Sequence, residues 1–177
     1  MNHPRPPVPA PRPASSPAPP RERIVVAVDD SEASVRALVW AFGKAKELGV
    51  RVETLTTWPL HGPVFVREVA GHFCEPRWRA REVQAAAVAR ALALVDDAPP
   101  YEMRVVNADL VDALTRAGAR AVLVVVGTGG PPWPASSGRR LTERLRDEGP
   151  ANLVVVGPDG VEQGASPPAT GPGHRAR

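Results

Sequence analysis

The chain has 177 residues, 43% of them hydrophobic, enough for one ordinary domain with a buried core and tails. The formal net charge is +3, but residues 24–157 hold 16 Lys+Arg against 16 Asp+Glu, so the excess lies in the tails and argues against a dedicated nucleic-acid surface. No apolar run approaches the roughly 20 residues of a membrane span, and the single cysteine, Cys74, precludes an intramolecular disulfide, as fits a reducing cytoplasm.

Residues 1–22 open as "MNHPRPPVPAPRPASSPAPP", where nine of the first 20 are proline. Proline lacks the backbone donor that helix and sheet need, so this segment is expected to be a disordered tail leaning to polyproline II. It has no continuous apolar stretch of the kind a signal peptide needs.

The folded part opens at "RIVVAVDDS". Ile24 to Val28 is an apolar, β-branched run, predicted as a strand buried on both faces. Ser31 is a good N-cap for a helix whose apolar residues Val35, Leu38, Val39, Phe42 and Ala45 recur at helical spacing, and Gly49 supplies its stop. "VRVETLTTW" (50–58) is a second strand that alternates at first and ends before Pro59.

A long irregular connection is expected over 59–77, then an alanine-rich helix over 78–96 with Val83, Ala87, Leu94 and Val95 turned inward. "YEMRVV" (101–106) is a third strand, and "ADLVDALTRAGA" a short helix using Leu110, Val111 and Leu114. "AVLVVVG" (121–127) is a fourth strand. Leu141 and Leu145 place a last helix over 138–148, and "ANLVVVG" is the fifth strand. The boundaries are therefore a tail over 1–22, an α/β domain over 23–158 and a second tail over 159–177.

Strands alternating with helices predict an α/β sandwich with a mostly parallel sheet. Ligands of such sheets bind beyond the carboxyl ends of the strands. That rule selects Asp29-Asp30, the Thr56-Thr57-Trp58 end and the stretch "VVVGTGGPPWPASSGRR". In the last of these, Gly127 and Gly130 follow a strand, either as an anion cradle or simply as a turn. No Walker loop follows, and Pro132 stands where a dinucleotide fingerprint needs glycine.

Other chemistries have less support. His72-Phe73-Cys74, near His61 and Glu75, lacks the paired spacing of a zinc site, so no metal is expected there. Cys74 has no evident base, and there is no Gly-x-Ser-x-Gly elbow. A phosphoacceptor receiver would need an Asp ending strand three and a Lys ending strand five, whereas the chain's lysines, Lys44 and Lys46, lie on the first helix. Trp40 and Trp58 read as core or interface residues, and Trp133 as an exposed aromatic.

"RIVVAVDDSEASVRALVWAFGKAKELGVRVETLTTW", continued by "VVNADLVDAL", "VVVGTGG" and "ANLVVVG", resembles the universal stress protein family over about residues 23–158. The resemblance implies a five-stranded parallel sheet of order 3-2-1-4-5, sandwiched by helices, of the adenine-nucleotide alpha-hydrolase-like kind. It implies a stress-response role in the cytoplasm without catalysis, and a homodimer formed through the last strand. Members that bind ATP hold it with the strand-one Asp, backbone ending strand two, and a loop of form Gly-x2-Gly-x9-Gly-[Ser/Thr]. Carried over, Asp29, Thr57, Gly127 and Gly130 match the first elements.

The rest of the loop departs. Position 140 is Arg140 and position 141 is Leu141, while the nearest glycine is Gly138, followed by Arg139. Pro131, Pro132 and Pro134 remove three amide donors from the spacer. Asp30 replaces the usual Gly of Asp-Gly-Ser, Thr56 stands where His is common, and Ala108 where many members have Gly. Asp30 opposes a bare triphosphate but suits Mg2+. Arg139 and Arg140 either supply charge-assisted bonds to phosphate or lie exposed on the first turn of the last helix. These departures point to a dimeric regulatory or interaction module with a degenerate ATP site, its proline tails available to a protein partner. The alternative is a working ATP/Mg2+ site. Alanine at Gly127 or Gly130 is expected to matter only if the loop grips a nucleotide.

Overall fold

The computed structural model describes residues 23–58, 74–129 and 138–163. Its elements run β1 (Arg23–Ala27), α1 (Glu32–Leu48), β2 (Arg51–Trp58), α2 (Glu75–Leu92), β3 (Tyr101–Asn107), α3 (Leu110–Gly118), β4 (Leu123–Gly127), α4 (Gly138–Glu148), β5 (Leu153–Val156) and β6 (Val161–Gln163). The apolar β-branched runs made the strands that their sequence predicts, because such side chains pack well on a pleated surface buried on both sides.

The sheet order is β3-β2-β1-β4-β5-β6. The first five strands are parallel, in the expected order, and β6 adds an antiparallel strand at the β5 edge, with Val154 opposite Gln163, Val155 opposite Glu162 and Val156 opposite Val161. From the sequence, the folded unit ends at residue 158. In the structure the chain turns back at Gly157–Gly160, where the Gly157 N–H donates to the Gly160 carbonyl at 2.8 Å, and Gly160 has φ +147. Glycine tolerates that angle because it has no Cβ. The edge of β5 expected to receive a second copy is therefore already paired within the chain.

Two apolar layers flank the sheet. One packs α1 and α2 on one face through Val35, Leu38, Phe42, Ala87, Val88 and Ala91. The other packs α3 and α4 on the opposite face through Val111, Leu114, Ala117 and Leu145. β2 does not alternate. Glu53, Thr54 and Thr56 are all buried in it. Glu53 is neutralised by Arg23 at 3.1 Å and Arg104 at 3.4 Å, which makes a buried carboxylate tolerable.

α1 has the ends its sequence predicts. The Ser31 Oγ accepts from the Ser34 N–H, and Gly49 closes the helix in the left-handed region at φ 65. α2 differs from expectation in position and at one inward residue: Ala87 is buried and Val95 packs against the core as expected, but Leu94 does not. It begins at Glu75, with proline in its first turn. Its inward residues are Ala80, Gln84, Ala87, Val88 and Ala91, whereas Leu94 lies beyond its end and is 67% exposed. The inward polar residue explains the difference. The Gln84 amide donates to the carbonyls of Thr54 at 3.2 Å and Arg104 at 2.9 Å, so it tethers the helix to β2 and β3.

Candidate functional site

The carboxyl ends of β1, β2 and β4 form the site. Strand register fixes which residues meet there. Ala27 pairs with Leu55, so two residues further on Asp29, past the end of β1, and Thr57, near the end of β2, lie at the same end of the sheet. On the other side of β1, Val26 pairs with Val125, which brings Gly127 to the same end. Thr57 is half-buried and pairs with Val106 of β3.

Asp29 is held by its own loop. Its Oδ1 accepts from the Ser31 N–H at 3.0 Å, the Ser31 hydroxyl at 2.5 Å and the Ser34 hydroxyl at 2.5 Å. The Asp29 N–H in turn donates to Ser34 Oγ at 2.9 Å. One carboxylate oxygen is thus saturated, and Oδ2 takes no partner among the described residues. The arrangement follows from the start of α1: Ser31 caps the helix, and Ser34 falls one turn later on its buried side. Asp30, in place of glycine, is exposed, and neither it nor Ala108 has a positive φ. Both substitutions are therefore free of backbone strain.

Thr56 is turned inward and its hydroxyl donates to the Val28 carbonyl at 2.8 Å. It ties the end of β2 to the end of β1. Trp58 is 3% exposed, a core residue as expected, and its carbonyl accepts from Asn107 Nδ2 at 3.3 Å.

Gly127 ends β4, and a Cβ there would lie 2.1 Å from the Ala33 carbonyl oxygen. Its glycine is needed for close approach to α1, with or without a ligand. The turn itself belongs to Gly129, with φ +80, where a Cβ would also meet Pro158 Cδ at 2.6 Å. Gly130 lies outside the described residues, as do Pro131, Pro132, Trp133 and Pro134. Gly138 and Arg139 are the first two residues of α4, and the Arg139 side chain lies outside the described part. The structure thus brings Asp29, Thr57 and Gly127 to one end of the sheet.

Three contributors were missed in the sequence. Ser34 completes the Asp29 loop. Gly129 makes the turn. Arg36, on α1, donates through Nη2 to the carbonyls of Thr128, at 3.2 Å, and Gly129. A signal for Arg36 was present, since it stands between the inward Val35 and Ala37 on a helix otherwise cleanly divided.

Beside the site, Asp109 caps α3, accepting from the amides of Val111 at 2.9 Å and Asp112 at 3.4 Å. Arg144 of α4 reaches it at 3.4 Å. Burial acts to raise the Asp109 pKa, but the Arg144 hydrogen bond and charge, with the Asp112 and Val111 amides, outweigh it and hold the carboxyl below its ordinary 3.8.

Among the described residues no group of three or more His, Cys, Asp or Glu could hold a metal ion. His61 and His72 fall outside them, and Cys74 is the N-cap position of α2 without a side-chain capping bond. No described helix is long and apolar enough to cross a membrane.

Comparison with known proteins agrees with this architecture. No curated protein sequence matches the chain. Among solved structures, a universal stress protein in complex with cAMP is 23% identical at a TM-score of 0.56, covering 78% of this chain and 98% of its own. A universal stress protein from Archaeoglobus fulgidus in complex with dAMP is 21% identical at a TM-score of 0.51, covering 75% of this chain and 94% of its own. Another structure from that organism is 20% identical at a TM-score of 0.51, covering 77% and 93%. These likenesses share the fold. The family model for the universal stress proteins matches residues 20–156, which takes in β1 through β5. The chain belongs to the universal stress protein family.

Proposed function

We propose that this protein is a stress-response regulatory module that binds an adenine nucleotide carrying few phosphates, without turning it over. The carrying observation is the prepared Asp29 loop facing the Gly127–Gly129 turn across the end of β1. One Asp29 oxygen is fixed by three donors, which leaves the other as an oriented acceptor for the amine or hydroxyl donors of a nucleoside. The turn after β4 offers backbone amide to an anion.

Few phosphates suit the site better than three. Pro131, Pro132 and Pro134 carry no amide hydrogens to cradle a longer chain. Asp30 adds negative charge beside Asp29. The relatives with cAMP and dAMP, both single-phosphate nucleotides, support the same reading. ATP with Mg2+ is the competing ligand, favoured by the paired carboxylates of Asp29 and Asp30. An interaction module without any nucleotide is the second reading, favoured by the missing Gly-Ser pair. A homodimer through the last strand would form along β6, or after β6 leaves β5. The compartment we propose is the cytoplasm.

The test is mass spectrometry of small molecules released from freshly purified protein, with calorimetric titration of AMP and ATP, each with and without Mg2+. Tighter binding of AMP than of ATP is expected. Stoichiometric ATP in the purified protein would overturn the preference for few phosphates. No binding at millimolar concentration of either would leave the interaction module.

A further inference from the structure

The nucleotide reading does not assign Arg36. This side chain belongs to α1, yet both of its recorded hydrogen bonds go to the turn after β4, at Thr128 O and Gly129 O. Its Nε is buried without a partner, so the two loop carbonyls are what hold the guanidinium among the described residues. α1 and the turn are also pressed together at Gly127 and Ala33. The helix therefore meets the loop twice, once by close backbone approach and once by a charged clamp.

The clamp sets the direction of the loop's amides. A trans peptide aims its N–H opposite to its C=O, and no described peptide is cis. Because Arg36 takes the Thr128 carbonyl, the N–H of Gly129, in the same peptide plane, points to the other side. Gly129 is exposed, and its N–H has no partner among the described residues. The next amide upstream, that of Thr128, is already spent on the Val156 carbonyl at 2.8 Å. The positive φ of Gly129 and the closeness of Pro158 then fix the turn from its remaining sides.

We infer that Arg36 is a positioning residue for the phosphate of the bound nucleotide: by holding the carbonyls of Thr128 and Gly129, it presents the Gly129 N–H as an anion donor. This rests on the reading of the site as nucleotide-binding. Arg36 acts through the loop and leaves the nucleoside end, at Asp29, to other groups. A guanidinium suits the task because its terminal Nη2 carries two hydrogens on a long, planar group and can serve both carbonyls at once.

The experiment compares AMP and adenosine as ligands by calorimetry, on the full chain and on Arg36→Gln and Arg36→Lys. Thermal melts are recorded on each. The expected result is that Arg36→Gln weakens AMP about tenfold, the scale of one charge-assisted hydrogen bond, while adenosine affinity stays unchanged. Arg36→Lys should recover part of the AMP affinity, because an ammonium can still donate to the carbonyls but lacks the long, planar group. If Arg36→Gln proves unstable, Arg36→Lys carries the comparison, and its AMP affinity should fall below that of the unaltered chain while adenosine again stays unchanged. AMP affinity equal in all three proteins would overturn the assignment, and so would equal losses for AMP and adenosine. An unaltered chain that binds neither ligand would overturn the nucleotide reading itself, and the Arg36 assignment with it.

Discussion

Gly127 and Ala33 meet backbone to backbone: the last residue of β4 lies so near the first turn of α1 that a Cβ on Gly127 would sit 2.1 Å from the Ala33 carbonyl oxygen and 3.0 Å from the Ser34 amide. Neither neighbour can move, since both belong to the capped turn that carries Asp29. Gly127→Ala should therefore destabilise the protein by about 1–3 kcal/mol, the scale of overpacking, whether or not a nucleotide is present. Denaturant unfolding with and without AMP checks this. A variant as stable as the unaltered chain would mean that the turn and helix separate easily. The alanine test expected from sequence to report on nucleotide grip thus reports on packing first.

The serine pair around Asp29 makes a separable prediction. Ser34→Ala removes one donor from Asp29 Oδ1 and the acceptor of the Asp29 N–H, while Ser31 keeps its two bonds to the carboxylate. The cost to stability should be about 1 kcal/mol, one or two net hydrogen bonds. Affinity for adenosine should fall along with affinity for AMP, because the disturbed group serves the nucleoside end. Calorimetry with both ligands reads this, and a loss confined to AMP would contradict the role given to Asp29.

Much of this fold was legible because its signals are local. The runs Ile24–Val28 and 121–127 are apolar and β-branched, and Ser31 and Gly49 bracket α1 by chemistry that acts within one turn. The misread parts depend on partners far along the chain. Gln84 looks like a surface residue until Thr54 and Arg104 supply carbonyls for it, whereas Leu94, expected inward beside Ala87 and Val95, lies exposed beyond the helix end. Arg36 likewise gains meaning only from Thr128 and Gly129, about ninety residues away in sequence. β6 was an avoidable miss, since "GPDGV" is a turn with its own mechanism: proline sets φ, and the flanking glycines accept unusual angles.

Gln84 and Leu94 give a direct test of which residues this helix region buries. Gln84→Leu keeps the bulk but strips two β-strand carbonyls of a buried donor. A loss of about 1–3 kcal/mol is expected for leaving such groups without a partner. Equilibrium unfolding measures it. Leu94→Ala, at a residue 67% exposed, should change stability by less than about 0.5 kcal/mol. The reverse ranking would place Leu94, rather than Gln84, on the inward side.

Asp109 and Arg144 tie α3 to α4 in a pH-dependent way. The folded pKa of Asp109 is lowered, so its ionised form stabilises the fold above the unfolded value near 3.8. That contribution is lost as pH falls through the lower folded value. Asp109→Asn keeps a good N-cap but removes the charge facing Arg144. Both partners are close to half exposed, so solvent screening limits the pair to less than about 1 kcal/mol. The variant should be slightly less stable than the unaltered chain at pH 7, and the gap should begin to narrow below about pH 3.8 and close as pH falls through the lower folded value. A gap that does not narrow at all as pH falls below 3.8 would place the effect in the cap rather than the charge.

β6 decides what the β5 edge can do. Strand edges with free N–H and C=O groups pair readily with another chain, and β5 is buried and entirely aliphatic, Leu153–Val156. Its outer side is taken by only three residues of β6, held by the Gly157–Gly160 turn. A chain ending at Pro158 loses β6 and leaves four aliphatic residues with an open edge. Sedimentation of this shortened chain should show self-association that rises with concentration and exceeds that of the full chain. The same shift should appear, more weakly, in Glu162→Pro, because proline cannot donate to the ladder where Glu162 faces Val155. Equal sedimentation of all three would mean that β6 does not guard the edge, and that any dimer of this protein forms on another surface.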